Sequence, residues 1–346
     1  MPELSGLYPE ELTALMVSLG EKPYRAKQLF PALQRGQTVE DISVLPRALK
    51  QRLAELDGRT PVRVLEKHVS RLDGTVKLLY ALHDGNCIEG VIMRYHYGVT
   101  LCVSTQVGCN MGCLFCASTL DGCVRSLSAA EMLGQIHAAN ALIRDEGQHI
   151  SRLVLMGSGE PLANYDQVVR FIRLASHEEG LNIGVRHISL STCGLVPEIR
   201  KLAHEGLPVT LSLSLHAPDD LTRRKIMPIA RRYTIAETLD ACREYLDKTG
   251  RRIILEYALI DGINADEQAA VRLAALLRGF QCHVNLIPLN TVRERNLYGV
   301  SEKQVRDFMR VLEDLHISVT RRREMGDDIH GACGQLRKQH LEETHQ

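Results

Sequence analysis

TLCVSTQVGCNMGCLFCAST, residues 100–119, is the stretch that decides the fold. TLCVST reads as a β-strand. Directly after it comes a loop with three cysteines, Cys109, Cys113 and Cys116, and then a helix-period segment, AAEMLGQIHAANALI, at 129–143. The same strand–loop–helix order recurs down the chain. RLVLM precedes a Gly loop and a helix from about Tyr165, HISLST precedes VPEIRKLAHEG, and VTLSLSL precedes IAETLDACREYL. RIILEYALI precedes EQAAVRLAALLRGF, HVNLIPL precedes SEKQVRDFMRVLEDL, and ISVTRRR closes the series. Strands alternating with helices imply βαβ units, a parallel sheet and right-handed crossovers. Six such units plus a last strand fall short of the eight that close a barrel. The expected fold is α/β, an open partial TIM-type (βα)6 barrel whose open side admits a large substrate.

Upstream the character changes. Residues 8–56 carry apolar residues at helix spacing and read as a small helical module. Residues 62–95 hold two DG pairs, Asp73-Gly74 and Asp84-Gly85, between short apolar runs, which predicts an antiparallel meander. The expected organisation is a helical domain at 1–60, a meander or connector at 61–97 and the core at 98–346. The 346 residues are 45% hydrophobic and 24% charged, ordinary globular values. No apolar run is long enough to span a bilayer, and MPELSGLYPEEL lacks the pattern of a signal peptide. The expected compartment is therefore the cytoplasm, where ten cysteines serve as free thiols, metal ligands or redox groups rather than a disulfide framework. A net charge of zero gives no support to nucleic-acid binding by bulk charge. Two basic clusters, Arg223 to Lys225 with Arg231 and Arg232, and Arg321 to Arg323, read as solvated surface.

In parallel α/β folds chemistry collects at the C-terminal ends of the strands. The unusual residues fall there: the three cysteines after the first strand, Gly159 and Glu160 after the second, Ser191 and Thr192 at the third. Ser214, Leu215 and His216 end the fourth, Asn290 follows the sixth, and Cys333 follows the seventh. Three thiolates hold three irons of a [4Fe-4S] cluster and leave the fourth iron open. The alternative is a zinc clip with Cys123 or Cys102 as fourth ligand, in a non-catalytic RNA-binding protein. Ser214 and His216, two apart on a strand end, are not set up as a nucleophile–base pair.

Cys-x3-Cys-x2-Cys after the first strand, with GSGEP after the second, resembles the radical S-adenosylmethionine (SAM) superfamily. Across residues 90–338 the stretches STQVGCNMGCLFCAST, MGSGEPLANYD, STCGLVP, LSLHAP, HVNLIPLN and RRREMGDDIHGACGQL resemble the RlmN family of adenine-C2 RNA methyltransferases and its relative Cfr. Pro161, Cys193 and Pro288 resemble RlmN; Cfr-type proteins, which methylate C8, differ there. Ser158 departs from the family, where Met is more frequent.

The resemblance implies a site. Cys109, Cys113 and Cys116 hold one [4Fe-4S] cluster. Gly159, Glu160, Ser191, Ser214, Leu215, His216 and Asn290 bind SAM, two molecules per turnover. Cys333 carries an S-methylcysteine intermediate, Cys102 resolves it through a transient disulfide, and Glu89 accepts a proton. The implied substrates are 23S rRNA in the peptidyl-transferase region and tRNA at the adenine 3′ to the anticodon. The resemblance also implies an electron donor such as flavodoxin, an RNA-binding role for the amino-terminal helices and a monomer with no membrane attachment.

Overall fold

The computed structural model describes residues 3–57, 62–289, 295, 297–323, 325–329 and 336. The amino-terminal module holds three helices, α1 (Pro9–Ser18), α2 (Tyr24–Gln34) and α3 (Arg47–Asp57). They turn Leu12, Met16, Leu29, Phe30, Leu49 and Leu53 inward. These residues join the same hydrophobic cluster as the barrel helices, so module and barrel share one core.

The meander follows as β1 (Arg63–Val69), β2 (Val76–Ala81) and β3 (Cys87–Tyr95). Gly74 and Gly85 take φ of 71° and 82° in its two turns, the left-handed conformation for which DG is suited. The meander is part of the main sheet, because β3 pairs antiparallel with β4 (Gly98–Cys102), the first barrel strand. A separate hairpin, β5 (Gln106–Gly108) and β6 (Cys123–Ser126), brackets the cysteine loop; the sequence had shown only a loop there.

The barrel then runs α4 (Ala129–Ile143), β7 (Ile150–Leu155), α5 (Tyr165–Ala175), β8 (Ile188–Thr192), α6 (Val196–Ala203) and β9 (Thr210–Ser214). It continues with α7 (Asp220–Ile226), α8 (Ile235–Thr249), β10 (Ile253–Leu259), α9 (Glu267–Leu277), β11 (Cys282–Pro288), α10 (Glu302–Asp314) and β12 (Val319–Arg321). Strand order is β1-β2-β3-β4-β7-β8-β9-β10-β11-β12. The last seven are mutually parallel, and β1 and β12 lie at opposite ends, so the barrel is open as its six βα units require.

Local chemistry fixes the helix starts. Ser128, Thr234 and Ser301 each form a capping box with Glu131, Glu237 and Gln304 three residues on. Each such cap contributes about 1 kcal/mol. Helix α5 then shows why the barrel packs: Val168, Phe171, Ile172 and Ala175 form a buried stripe at helical spacing. Full burial of a side chain such as Phe171 or Ile172 stabilises by roughly 1.5–3 kcal/mol. Among the described residues no helix is long and apolar enough to cross a membrane.

Candidate active site

The β5–β6 hairpin is what shapes the cysteine loop. Gly108, at φ 78°, lies so close to Gly122 that an added Cβ would stand 2.0 Å from its carbonyl oxygen. That approach lets Cys109 N–H donate to Gly122 O (2.9 Å) and Cys123 N–H to Asn110 Oδ1 (2.8 Å). Inside the loop Thr119 Oγ1 donates to the carbonyls of Cys113 and Cys116, and Arg295 donates to Cys113 O at 3.0 Å. Cys109, Cys113 and Cys116 thereby face one cavity of about 350 Å³.

The GSGEP loop forms a second wall of that cavity. A Cβ on Gly157 would meet Ser104 and Val103 at 2.6–2.8 Å, and one on Gly159 would meet Gln106 at 2.7 Å, so both must be glycine. Ser158 N–H donates to Ser104 Oγ, and Ser158 O accepts from the N–H of Thr105 and Gln106. The Ser158 hydroxyl, buried, stands 3.3 Å from Ser118 Oγ beside the cysteine loop, which gives the departure at this position a partner. Glu160 is buried and accepts N–H from Cys193 (2.8 Å) and Leu162 (3.1 Å). Burial pushes its carboxyl above the usual range, against those two donors.

Ser191, Ser214 and His216 line the same cavity, with the two hydroxyls 3.4 Å apart. His216 holds a positive φ of 53° and accepts Ala258 N–H on Nδ1 (2.8 Å), which places the ring hydrogen on Nε2. Burial pushes its pKa down to about 3, so it is a neutral donor at ordinary pH. Phe115 of the cysteine loop packs edge-on against it at 4.5 Å. Leu215 does not join them: it is packed in the core, and its backbone serves Arg223 and Glu256 instead. Asn290 and Cys333 lie outside the described residues.

The meander supplies another wall. Lys77, Val91 and Cys102 are paired side by side across β2, β3 and β4, so they share a sheet face. Cys102 and Val91 line the cavity. Glu89, two residues before Val91, is on that face too but beyond the cavity wall. It is buried, and Lys77 Nζ stands 3.5 Å from its carboxylate.

Two site residues escaped the sequence reading. Glu256 lines the cavity from β10, where burial pushes its carboxyl up and Asn285 donates to it at 2.9 Å. Its signal was a lone acid inside the apolar run RIILEYALI. Arg223, read as part of a solvated basic cluster, is fully buried. The correction has a physical cause: α7 turns Arg223 and Ile226 inward and leaves Leu221 exposed. Arg322 and Arg323 also belong to the cavity lining rather than to open surface alone.

The donor set can be tested against a cluster. Burial pushes the Cys109 thiol up to about 12 and the Cys113 thiol higher, with neighbouring cysteines adding to both. Thiolates exist in such a place only with a strongly cationic group among them. Among the described residues no three His, Cys, Asp or Glu side chains are placed to grip one ion. Thiolates that each take a different iron ask for a wider spacing, and Cys123 is not on the cavity wall. The three cysteines on one cavity wall are a donor set that fits an iron–sulfur cluster.

Comparison with known proteins agrees with this geometry. The model of the Radical SAM superfamily matches residues 103–274. A protein of Alkaliphilus oremlandii named "Probable dual-specificity RNA methyltransferase RlmN" is 49% identical over 341 residues, 98% of each chain. One of the same name from Lachnoclostridium phytofermentans is 46% identical over 344 residues, 99% of this chain and 96% of that one. The crystal structure of a radical SAM methyltransferase from Sphaerobacter thermophilus superposes with a TM-score of 0.92 at 42% identity, covering 97% of this chain and 99% of the other.

Proposed function

This chain belongs to the RlmN family of radical SAM RNA methyltransferases, and from that premise we propose that it methylates C2 of adenine in 23S rRNA and tRNA. The rRNA target is in the peptidyl-transferase region, and the tRNA target is the adenine 3′ to the anticodon. The observation that carries the reading is one cavity lined by Cys109, Cys113 and Cys116 on one side and by Cys102 on another. A simple methyltransferase needs none of these thiols.

The chemistry explains the need. Adenine C2 lies between two ring nitrogens and is too electron-poor to attack the methyl of SAM. Cys333 takes that methyl first, as a thioether. A cluster on Cys109, Cys113 and Cys116 would supply the electron that cleaves a second SAM, giving the radical that removes a hydrogen from the S-methyl group. The Cys333 methylene radical then bonds to C2; Glu89 receives the C2 proton, and the adduct's unpaired electron would return to the iron–sulfur group. The Cys102 thiolate attacks the Cys333 sulfur, the C–S electron pair stays on the base's methylene carbon, which takes up a proton to become the methyl group, and the disulfide left behind is reopened by a thiol reductant. Leu336, three residues beyond Cys333, packs on Leu79 and Cys87.

Gly159, Glu160, Ser191, Ser214 and the Nε2–H of His216 would hold SAM, with Asn290 alongside. A splayed single-stranded base enters from the open side of the barrel. An electron donor of the flavodoxin class supplies the electron. The test is anaerobic incubation of iron-loaded protein with tRNA and a 23S fragment, reductant and methyl-labelled SAM, followed by nucleoside mass spectrometry. 2-Methyladenosine is the expected product. 8-Methyladenosine would reassign the chain to Cfr-type chemistry, and no methylated adenine would refute the reading.

A further inference from the structure

Arg223 is the most unusual charge in the molecule. It is 0% exposed. Its Nε donates to Leu215 O (3.1 Å), and Nη2 donates to Cys193 O (2.7 Å) and Ser214 O (3.1 Å). Nη1 is buried and has no hydrogen-bond partner among the described residues. No carboxylate forms an ion pair with it among those residues. Asp219 caps α7 and stands 3.5 Å from Arg272, and Asp220 accepts the N–H of Ile235. A buried charge without a counter-charge costs several kcal/mol, so some anion must complete this site.

The surroundings point to which anion. Burial pushes the Arg223 pKa down, and Cys193 and Cys113 when ionised, followed by Asp220, push it back up. Helix α7 is docked on the cysteine loop, with Leu114 N–H donating to Ile226 O at 2.9 Å. Arg223 is not on the cavity wall, but Cys193 and Ser214, whose carbonyls it holds, are, so its charge stands one layer of protein behind the cavity that the three cysteines face. An anionic group held by those cysteines is within reach of that charge without touching it. A [4Fe-4S] core with three thiolates is net negative, and more so after reduction.

We propose that Arg223 is the fixed counter-cation of that cluster, its guanidinium held behind Cys113 and Cys193 to offset the charge of the thiolate-bound group and ease its one-electron reduction. The proposal rests on the cluster reading given above. The carbonyls of Leu215, Cys193 and Ser214 fix the guanidinium in place, so its charge acts on the cluster from a set position. A nearby positive charge favours the more negative reduced state, so it raises the reduction potential.

The experiment uses whole protein loaded anaerobically with iron and sulfide: wild type, Arg223→Lys, Arg223→Gln and Arg223→Met. Electron paramagnetic resonance follows a dithionite titration of each. The neutral variants should be harder to reduce by at least tenfold in the one-electron equilibrium, about 59 mV more negative. Arg223→Lys should stay near wild type. Arg223→Gln keeps an amide for the carbonyls, so it serves if Arg223→Met does not fold. Thermal unfolding of iron-free and iron-loaded forms gives a second readout. A counter-cation predicts that neutral variants lose part of the stabilisation that loading confers on wild type. Wild-type potentials in the neutral variants, with equal stability losses in both forms, would make Arg223 a structural clamp and overturn the inference alone. A wild type that binds no iron would overturn the cluster reading and this inference with it.

Discussion

The two halves of the sheet bury a cation in opposite ways. In the antiparallel meander, Lys77 has no exposure and stands 3.5 Å from the Glu89 carboxylate. In the parallel half, Arg223 is as deeply buried but is met by backbone carbonyls. The first site carries its counter-charge in the chain. The second is arranged for one that the chain does not encode. A paired charge suits a place where a proton is exchanged, because both states stay close to neutral. An unpaired cation suits a place where an anionic group resides and gains an electron.

The comparison breaks first at the cysteines. Cys113→Ser should abolish iron binding and reduce methylation to background, as measured by iron content and labelled RNA. Cys123→Ser, half-buried on β6 and off the cavity wall, should keep both. If iron survives Cys113→Ser, the parallel half has no special claim on an anion.

The next effect belongs to the meander. Glu89→Gln should lower single-turnover methylation by about 10²-fold or more while SAM cleavage persists, since a positioned base contributes roughly 10²–10⁴-fold. Lys77→Met should destabilise by about 3 kcal/mol in denaturant unfolding, because it removes the cation beside a buried carboxylate. Adding Glu89→Leu to Lys77→Met should recover much of that loss. A double variant no better than the single one would mean that the pair is not locally self-sufficient.

This difference explains what the sequence could show. The βα alternation was legible because each parallel strand is covered on both faces and reads as an apolar run, with a periodic helix after it. The cysteines were legible because their spacing is carried within one loop. Arg223 was not, because α7 inverts the usual polarity, with Leu221 outward and Arg223 inward. Glu256 was overlooked for the complementary reason: it is a lone acid in a strand that otherwise reads as core. The β5–β6 hairpin depends on the close approach of Gly108 to Gly122, fourteen residues apart, which no local pattern announces.

A smaller effect tests the seam between the helical module and the barrel. His137 Nε2 stands 2.9 Å from Gln34 O, joining α4 to α2. Desolvation pushes its pKa down to about 4 from an ordinary 6.5. The unfolded chain therefore takes up the proton first as pH falls. The contribution is complete above about pH 6.5 and declines between 6.5 and 4, by up to about 1.4 kcal/mol per pH unit. Wild type should lose up to about 2 kcal/mol between pH 6.5 and 5 that His137→Gln does not lose. Parallel stability curves for the two proteins would show that His137 stays as solvated in the fold as out of it.

The smallest effect bears on whether the two halves are independent at all. Arg125, on β6 of the cysteine hairpin, donates to both oxygens of Glu131 at the start of α4 and to Asp84 in the meander turn. It is an ion bridge from one region to the other, alongside His83 to Glu131 and Arg94 to Glu146. Although burial pushes Glu131 up, the Arg125 hydrogen bonds hold its carboxyl below the usual range, and Arg125 lowers Asp84 as well. These contributions are present at neutral pH and fade as pH falls through the two depressed values. Arg125 and Asp84 are partly exposed, so Arg125→Met should cost only about 1 kcal/mol. Combined with Lys77→Met, its cost should add to within about 0.5 kcal/mol, as for sites that share no partner. Coupling above about 1 kcal/mol would mean that the meander's charge pair is tuned through the cysteine hairpin, and the two buried cations would then form one electrostatic system rather than two separate solutions.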